Sequence, residues 1–124
     1  MGANAKVVRD AYAAFGKGDI ASVIAMLDEN VSWTSPRTLP HGGEFSGPGQ
    51  VGKFFEGLGA AWDSVALDVE SVDEAGTNVV GIVRADGTRK NGDAQTYGAV
   101  HVFDIAGGKI RRFREYVEIP NRSN

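Results

Sequence analysis

The 124-residue chain is 42% hydrophobic and 23% charged, the balance of a soluble globular protein with enough length for one core. Its net charge of -3 argues against nucleic acid as a partner, since phosphates call for a basic face. The absence of cysteine excludes disulfides and thiol chemistry and fits a cytoplasmic setting.

Val7, Val8, Ala11, Tyr12 and Phe15 fall at helical spacing and predict a helix from a cap at Asn4 to about Phe15, closed by Gly16-Lys17-Gly18. Asp19 caps a second, short helix from Ile20 to Leu27. Val31 to Ser35 alternates as a strand, with Val31, Trp33 and Ser35 on one face, and Pro36 stops it. The loop from Arg37 to Gly47 is long for a connector and reads as a lid. Gly47-Pro48 opens a third helix, about Gly49 to Trp62, with Val51, Phe54, Phe55, Leu58 and Trp62 as its buried stripe. Val65, Leu67 and Val69 alternate in the next strand. Val79 to Arg84 follows, with Val80, Ile82 and Arg84 on one face. Asn91-Gly92 marks a hairpin turn.

The last ribbon, Gln95 to Glu118, reads as a long β-hairpin. Tyr97, Ala99, His101, Phe103 and Ile105 share one face of its first strand. Phe113, Glu115, Val117 and Ile119 share one face of its second. A two-residue loop at Gly107-Gly108 sets His101 against Arg114 and sends the two apolar faces to opposite sides. A three-residue loop sets His101 against Glu115 and Phe103 against Phe113, and is preferred because a one-residue slip flips every side chain. Residues 120–124 are expected to fray. No apolar run approaches membrane-spanning length, and no hydrophobic signal region is read at the start. Helices first and a meander of strands later predict one α+β domain over 1–124, a strongly curved antiparallel sheet wrapped around three helices and enclosing a pocket.

The runs AYAAFGKGD at 11–19, VSWTSP at 31–36, LPHGGEFSGPGQV at 39–51 and VHVFDIAGGKIRRFREYVE at 100–118 together resemble the NTF2-like superfamily, SnoaL-like branch. That branch is similar to polyketide cyclases, ketosteroid isomerases and limonene-epoxide hydrolases. The resemblance places Ser35 where the steroid isomerases carry their carboxylate base, and His101 near their protonated aspartic acid. Their oxyanion tyrosine falls near Ala11, with Tyr12 one residue off. Of the hydrolase set, Glu115 matches one carboxylate. Ile82 and Arg84 occupy the other two places, and Trp33 and Ser35 replace the water holders, so that set is incomplete.

The residues themselves favour His101 as acid/base or hydrogen-bond donor, because imidazole titrates near neutrality. Glu115 is its orienting partner or a second acid/base, with a carboxyl expected to titrate high if desolvated. Arg84 is the charge stabiliser. Trp33, Ser35, Tyr97, Phe54, Phe103, Phe113 and Tyr12 are the substrate-binding set. His41 in the loop reads as solvent-facing, with ligand contact as the alternative. With no HxH, HExxH or cysteine pair, no metal site is expected, and acid/base chemistry needs no cofactor. The expected function is isomerase- or cyclase-like proton transfer on a small apolar carbonyl compound. The alternative is a non-catalytic binder of a hydrophobic ligand or a dimeric accessory protein. Outward Val100, Val102 and Tyr116 supply an apolar face for a homodimer.

Overall fold

A computed structural model describes residues 2–118. The elements are α1 (Ala3–Gly16), α2 (Ile20–Ala25), β1 (Leu27–Ser35), β2 (Gly43–Ser46), α3 (Gly47–Ala61), β3 (Trp62–Ala75), β4 (Asn78–Arg89), β5 (Ala94–Ala106) and β6 (Lys109–Glu118). The expectations for Ile119 and for the tail at 120–124 fall outside the described residues.

The local signals act mostly as the sequence reading expects. The Asp19 carboxylate accepts from the Ser22 backbone N–H at 3.1 Å and caps α2. Pro48 sits in the first turn of α3. Three boundaries differ. Gly2, at φ 82°, caps α1 in place of Asn4, which lies inside the helix. α2 stops at Ala25 because Leu27 already pairs with Ile110 of β6, and the Ile110 N–H reaches the Met26 carbonyl at 2.8 Å. α3 ends at Ala61, so Trp62 opens β3 instead of closing the helix. Within the loop expected at 37–47, residues Gly43–Ser46 form a short edge strand paired with β1.

The six strands form one curved, open sheet in the order β2-β1-β6-β5-β4-β3. All neighbours are antiparallel except β1 and β6, which run parallel. α1 packs over β3 and β4, and α3 over β1 and β2. Val8, Val31, Val51, Val79 and Ile110 are sealed between helices and sheet, each contributing roughly 1.5–3 kcal/mol by leaving water. A second cluster gathers Leu39, Trp62, Val83, Ala85, Tyr97 and Ala99.

The hairpin register pairs His101 with Glu115 and Phe103 with Phe113. The turn that produces it differs from the expected three-residue loop. Gly107 (φ 58°) and Gly108 (φ 75°) form a two-residue turn in which Ala106 faces Lys109. The pairing then passes from Ile105–Ile110 to Asp104–Arg112, which leaves Arg111 as the extra residue of a bulge. The bulge supplies the one-residue shift assigned to the loop, so both apolar faces turn inward.

β4 has the opposite parity to the one expected. Val79, Gly81, Val83, Ala85 and Gly87 face the helices, whereas Ile82 and Arg84 are exposed on the outer surface. Both faces of this strand are apolar over residues 79–83, so alternation alone cannot choose between them. β3 also departs from simple alternation. Its register shifts between Val69 and Ser71, which leaves Val69 37% exposed and returns Val72 to the core.

Candidate functional site

The curved sheet and the helices enclose a cavity of about 640 Å³ including its mouth, within which the centre of a water-sized sphere can move through about 80 Å³. Apolar walls come mainly from Phe15, Trp33, Phe54, Phe55, Phe103 and Phe113. Polar groups enter at Tyr12, His41, Tyr97, His101 and Glu115.

Four side chains join in a line of hydrogen bonds. Ser35 Oγ donates to Glu115 Oε1 at 2.6 Å. Glu115 Oε2 lies 3.0 Å from His101 Nε2, and His101 Nδ1 lies 2.8 Å from the Tyr12 hydroxyl. The His101 and Glu115 side chains are only 7% and 8% exposed. Glu115 and His101 meet because they are directly opposite in adjacent strands and so point the same way. Ser35 reaches the pair from β1, which lies beside β6. Tyr12 reaches it from α1, 89 positions away in sequence.

Tyr12 can occupy that place because Gly81, directly opposite His101 on β4, has no side chain. A Cβ at Gly81 would fall on the Tyr12 hydroxyl and lie 3.1 Å from its Cζ. A mid-strand glycine often marks such a close approach, and Gly81 marks the place in the sequence without naming the side chain that fills it. Trp62 is seated the same way, since a Cβ at Gly87 would lie 2.6 Å from its Cζ3.

The electrostatics differ from the sequence expectation at Glu115. Burial pushes its carboxyl upward, but the hydrogen bond and charge of His101, the Ser35 hydroxyl and His41 outweigh this and hold it below its usual range. Glu115 is therefore a carboxylate with both oxygens engaged. Burial, reinforced by the Glu115 charge, raises the Tyr12 and Tyr97 hydroxyls above their usual value, so both remain phenols.

Most of the sequence-predicted site residues converge here. Trp33, Phe54, Phe103, Phe113, Tyr97 and Tyr12 line the cavity with His101 and Glu115. Ser35 is 1% exposed and bonds Glu115 from behind the cavity wall. Arg84 is not brought to the site, because the parity of β4 turns it outward. His41 is not solvent-facing: it is 6% exposed, lines the cavity and accepts the Trp62 Nε1–H on Nδ1 at 3.0 Å. Burial and, more weakly, Arg89 push His41 toward the neutral form, against the opposing pull of Glu115. Among the described residues the Trp33 Nε1–H is buried without a hydrogen-bond partner. Among the described residues no helix is long and apolar enough to cross a membrane.

A family model described as a SnoaL-like domain matches residues 8–113. Among solved structures, an NTF2-like protein of unknown function from Burkholderia pseudomallei K96243 shares 27% identity at a TM-score of 0.88, over 95% of this chain and 92% of that one. Bal32a, from a soil-derived mobile gene cassette, shares 28% identity at a TM-score of 0.84, over 93% and 88% of the two chains. TerC, co-crystallised with polyporic acid, shares 22% identity at a TM-score of 0.85, over 94% and 92%, a likeness of fold. A comparison with curated proteins finds no match.

Proposed function

The chain belongs to the SnoaL-like family, and from that premise we propose that it catalyses cofactor-independent proton transfer on a small, largely apolar carbonyl compound, as an isomerase or cyclase does. The observation that carries this reading is the buried line Glu115–His101–Tyr12 ending in an apolar cavity. A tyrosine hydroxyl both donates and accepts, and imidazole can bond through both nitrogens.

In the resting arrangement the Nε2–H of His101 donates to the Glu115 carboxylate, and Nδ1 accepts the Tyr12 hydroxyl proton. The Tyr12 oxygen then has lone pairs for the cavity. A substrate C–H adjacent to a carbonyl gives its proton to Tyr12 while the Tyr12 proton passes to Nδ1. His101 becomes imidazolium beside the Glu115 carboxylate, and the substrate becomes an enolate. Reversal returns the proton to another carbon of the substrate, so one C–H bond breaks, another forms and the protein ends unchanged. Because burial and the Glu115 charge keep Tyr12 a phenol, it conducts the proton and does not wait as a free phenolate. The carboxylate stabilises the imidazolium and fixes its ring.

The test is deuterium exchange at the carbon next to the carbonyl of 1-tetralone in D2O, followed by NMR. Exchange above the buffer rate is expected from the protein, and its loss in folded His101→Phe and Tyr12→Phe. Full exchange in both variants would remove the relay from the chemistry. A second reading, a binder without turnover, is favoured by one observation: both Glu115 oxygens are already engaged by protein groups. Tight binding of 1-tetralone with no exchange would select it. The outer face, where Ile82, Val100 and Tyr116 lie side by side and exposed, supports pairing of two copies sheet to sheet.

A further inference from the structure

His41 belongs to the cavity but not to the relay. Its segment, between β1 and β2, is closed by two turns: Leu39 N–H to the Pro36 carbonyl at 3.1 Å, and Gly42 N–H to the Leu39 carbonyl at 3.0 Å. A Cβ at Gly42 would run into the Pro36 backbone, so the segment closes this tightly only with glycine there. Leu39, 2% exposed, anchors it in the second cluster beside Trp62 and Tyr97. The edge of Phe54 meets the imidazole at 5.4 Å between ring centres.

The bond from Trp62 fixes the tautomer. An indole N–H can only donate. His41 Nδ1, 3.0 Å away, must therefore present its lone pair, and the proton of the neutral ring sits on Nε2. Trp62 is itself fixed, lying against Gly87 on one side with the Arg89 guanidinium 5.1 Å from its ring centre. Among the described residues Nε2 has no protein hydrogen-bond partner, while the ring lines the cavity.

We infer that His41 Nε2–H is a fixed donor for a second oxygen of the ligand, so that the pocket selects apolar molecules carrying two oxygen acceptors, a diketone or hydroxyketone class, with one oxygen at the Tyr97 hydroxyl and the other at His41. This rests on the reading of the cavity as a carbonyl-compound site. Trp62 acts as the positioning residue, since it touches the ligand donor only by holding its other nitrogen.

The experiment compares binding of 1-tetralone and 4-hydroxy-1-tetralone, which share a skeleton but carry one and two oxygens. His41→Phe is expected to weaken the two-oxygen ligand by about tenfold, the scale of one hydrogen bond lost in a buried site, and to leave 1-tetralone within about twofold. ¹⁵N NMR of labelled histidine reports the Nε2–H tautomer at His41 in the wild type and mixed tautomers in Trp62→Phe, a change that a purely structural tryptophan would not cause. If His41→Phe does not fold, the Trp62→Phe binding ratio decides, with the same preference expected to shrink. Equal losses for both ligands, or an Nδ1–H tautomer in the wild type, would overturn the inference while leaving exchange of 1-tetralone intact. Failure of both ligands to bind, with no exchange, would overturn the cavity reading and this inference with it.

Discussion

Replacing Gly81 by alanine tests how Tyr12 is held. The added Cβ falls on the Tyr12 hydroxyl and lies 3.1 Å from Cζ and 3.2 Å from Cε2. Either Tyr12 swings off His101 or β4 retreats, and the 2.8 Å bond to Nδ1 is lost in the first case. Overpacking a filled site costs about 1–3 kcal/mol, and the lost hydrogen bond about 0.5–1.5 kcal/mol. Removing a glycine from the unfolded chain offsets about 0.4–1 kcal/mol of this, leaving a net loss of about 2–3 kcal/mol. In a Tyr12→Phe background the blocking oxygen is absent, and the Cζ contact relaxes with a small shift. There Gly81→Ala should cost about 1 kcal/mol or less, giving a coupling of about 1.5–2 kcal/mol between the two sites. Urea unfolding of the four proteins near neutral pH, at constant m, measures it. An equal cost in both backgrounds would refute the idea that Gly81 exists to admit the hydroxyl.

Other perturbations follow from the same line of bonds. Ser35→Ala removes a buried donor to a carboxylate and should cost about 1.5–3 kcal/mol. The Glu115 carboxyl should then titrate higher, as ¹³C NMR would record, and an unmoved titration would contradict the assigned cause. Because the folded protein holds the Glu115 carboxyl below its ordinary 4.5, the unfolded chain takes up the proton first as pH falls. The stabilisation is thus fully present above 4.5 and is lost as pH drops through the lower folded value. Glu115→Gln should flatten the acid limb of a stability-versus-pH curve, and an unchanged limb would count against the depressed carboxyl. For the outer face, Val100→Lys should turn a dimer into a monomer in sedimentation velocity without loss of fold, and a wild type that sediments as a monomer at micromolar concentration would end that proposal.

The parts of the fold legible in the sequence were those set by local pattern. The two final strands alternate cleanly, and only one register turns both apolar faces inward, so the His101–Glu115 pair follows from residues 95–118 alone. The device that achieves the register does not: a bulge at Arg111 and a longer loop have the same effect on parity. Alternation does not orient β4, because Val79, Val80, Ile82 and Val83 give it apolar residues on both faces. Its inward face is recognised by what is missing, Gly81 and Gly87, whose empty positions are filled from elsewhere by Tyr12 and Trp62. The place of Tyr12 depends on how α1 rotates over the sheet, a long-range packing outcome that helical spacing does not contain. The Pro and Gly neighbours of His41 read as an exposed loop, yet the turns at Pro36 and Leu39 fold the segment inward.

The two histidines of the cavity are held by similar means to different ends. Each ring is bonded on Nδ1 by an aromatic side chain, and each aromatic lies against a glycine of β4. The difference lies in the chemistry of the partners. Tyr12 offers a hydroxyl that can give or take a proton, and His101 has Glu115 on its far nitrogen to stabilise the charge that results. Trp62 offers an N–H that only donates, and among the described residues His41 has no carboxylate hydrogen-bonded to its other nitrogen. A proton can therefore pass along the first line, whereas the second can only present one. On the proposed reading, a single strand with two empty positions thus separates a conduit for protons from a fixed recognition group, both facing one apolar space.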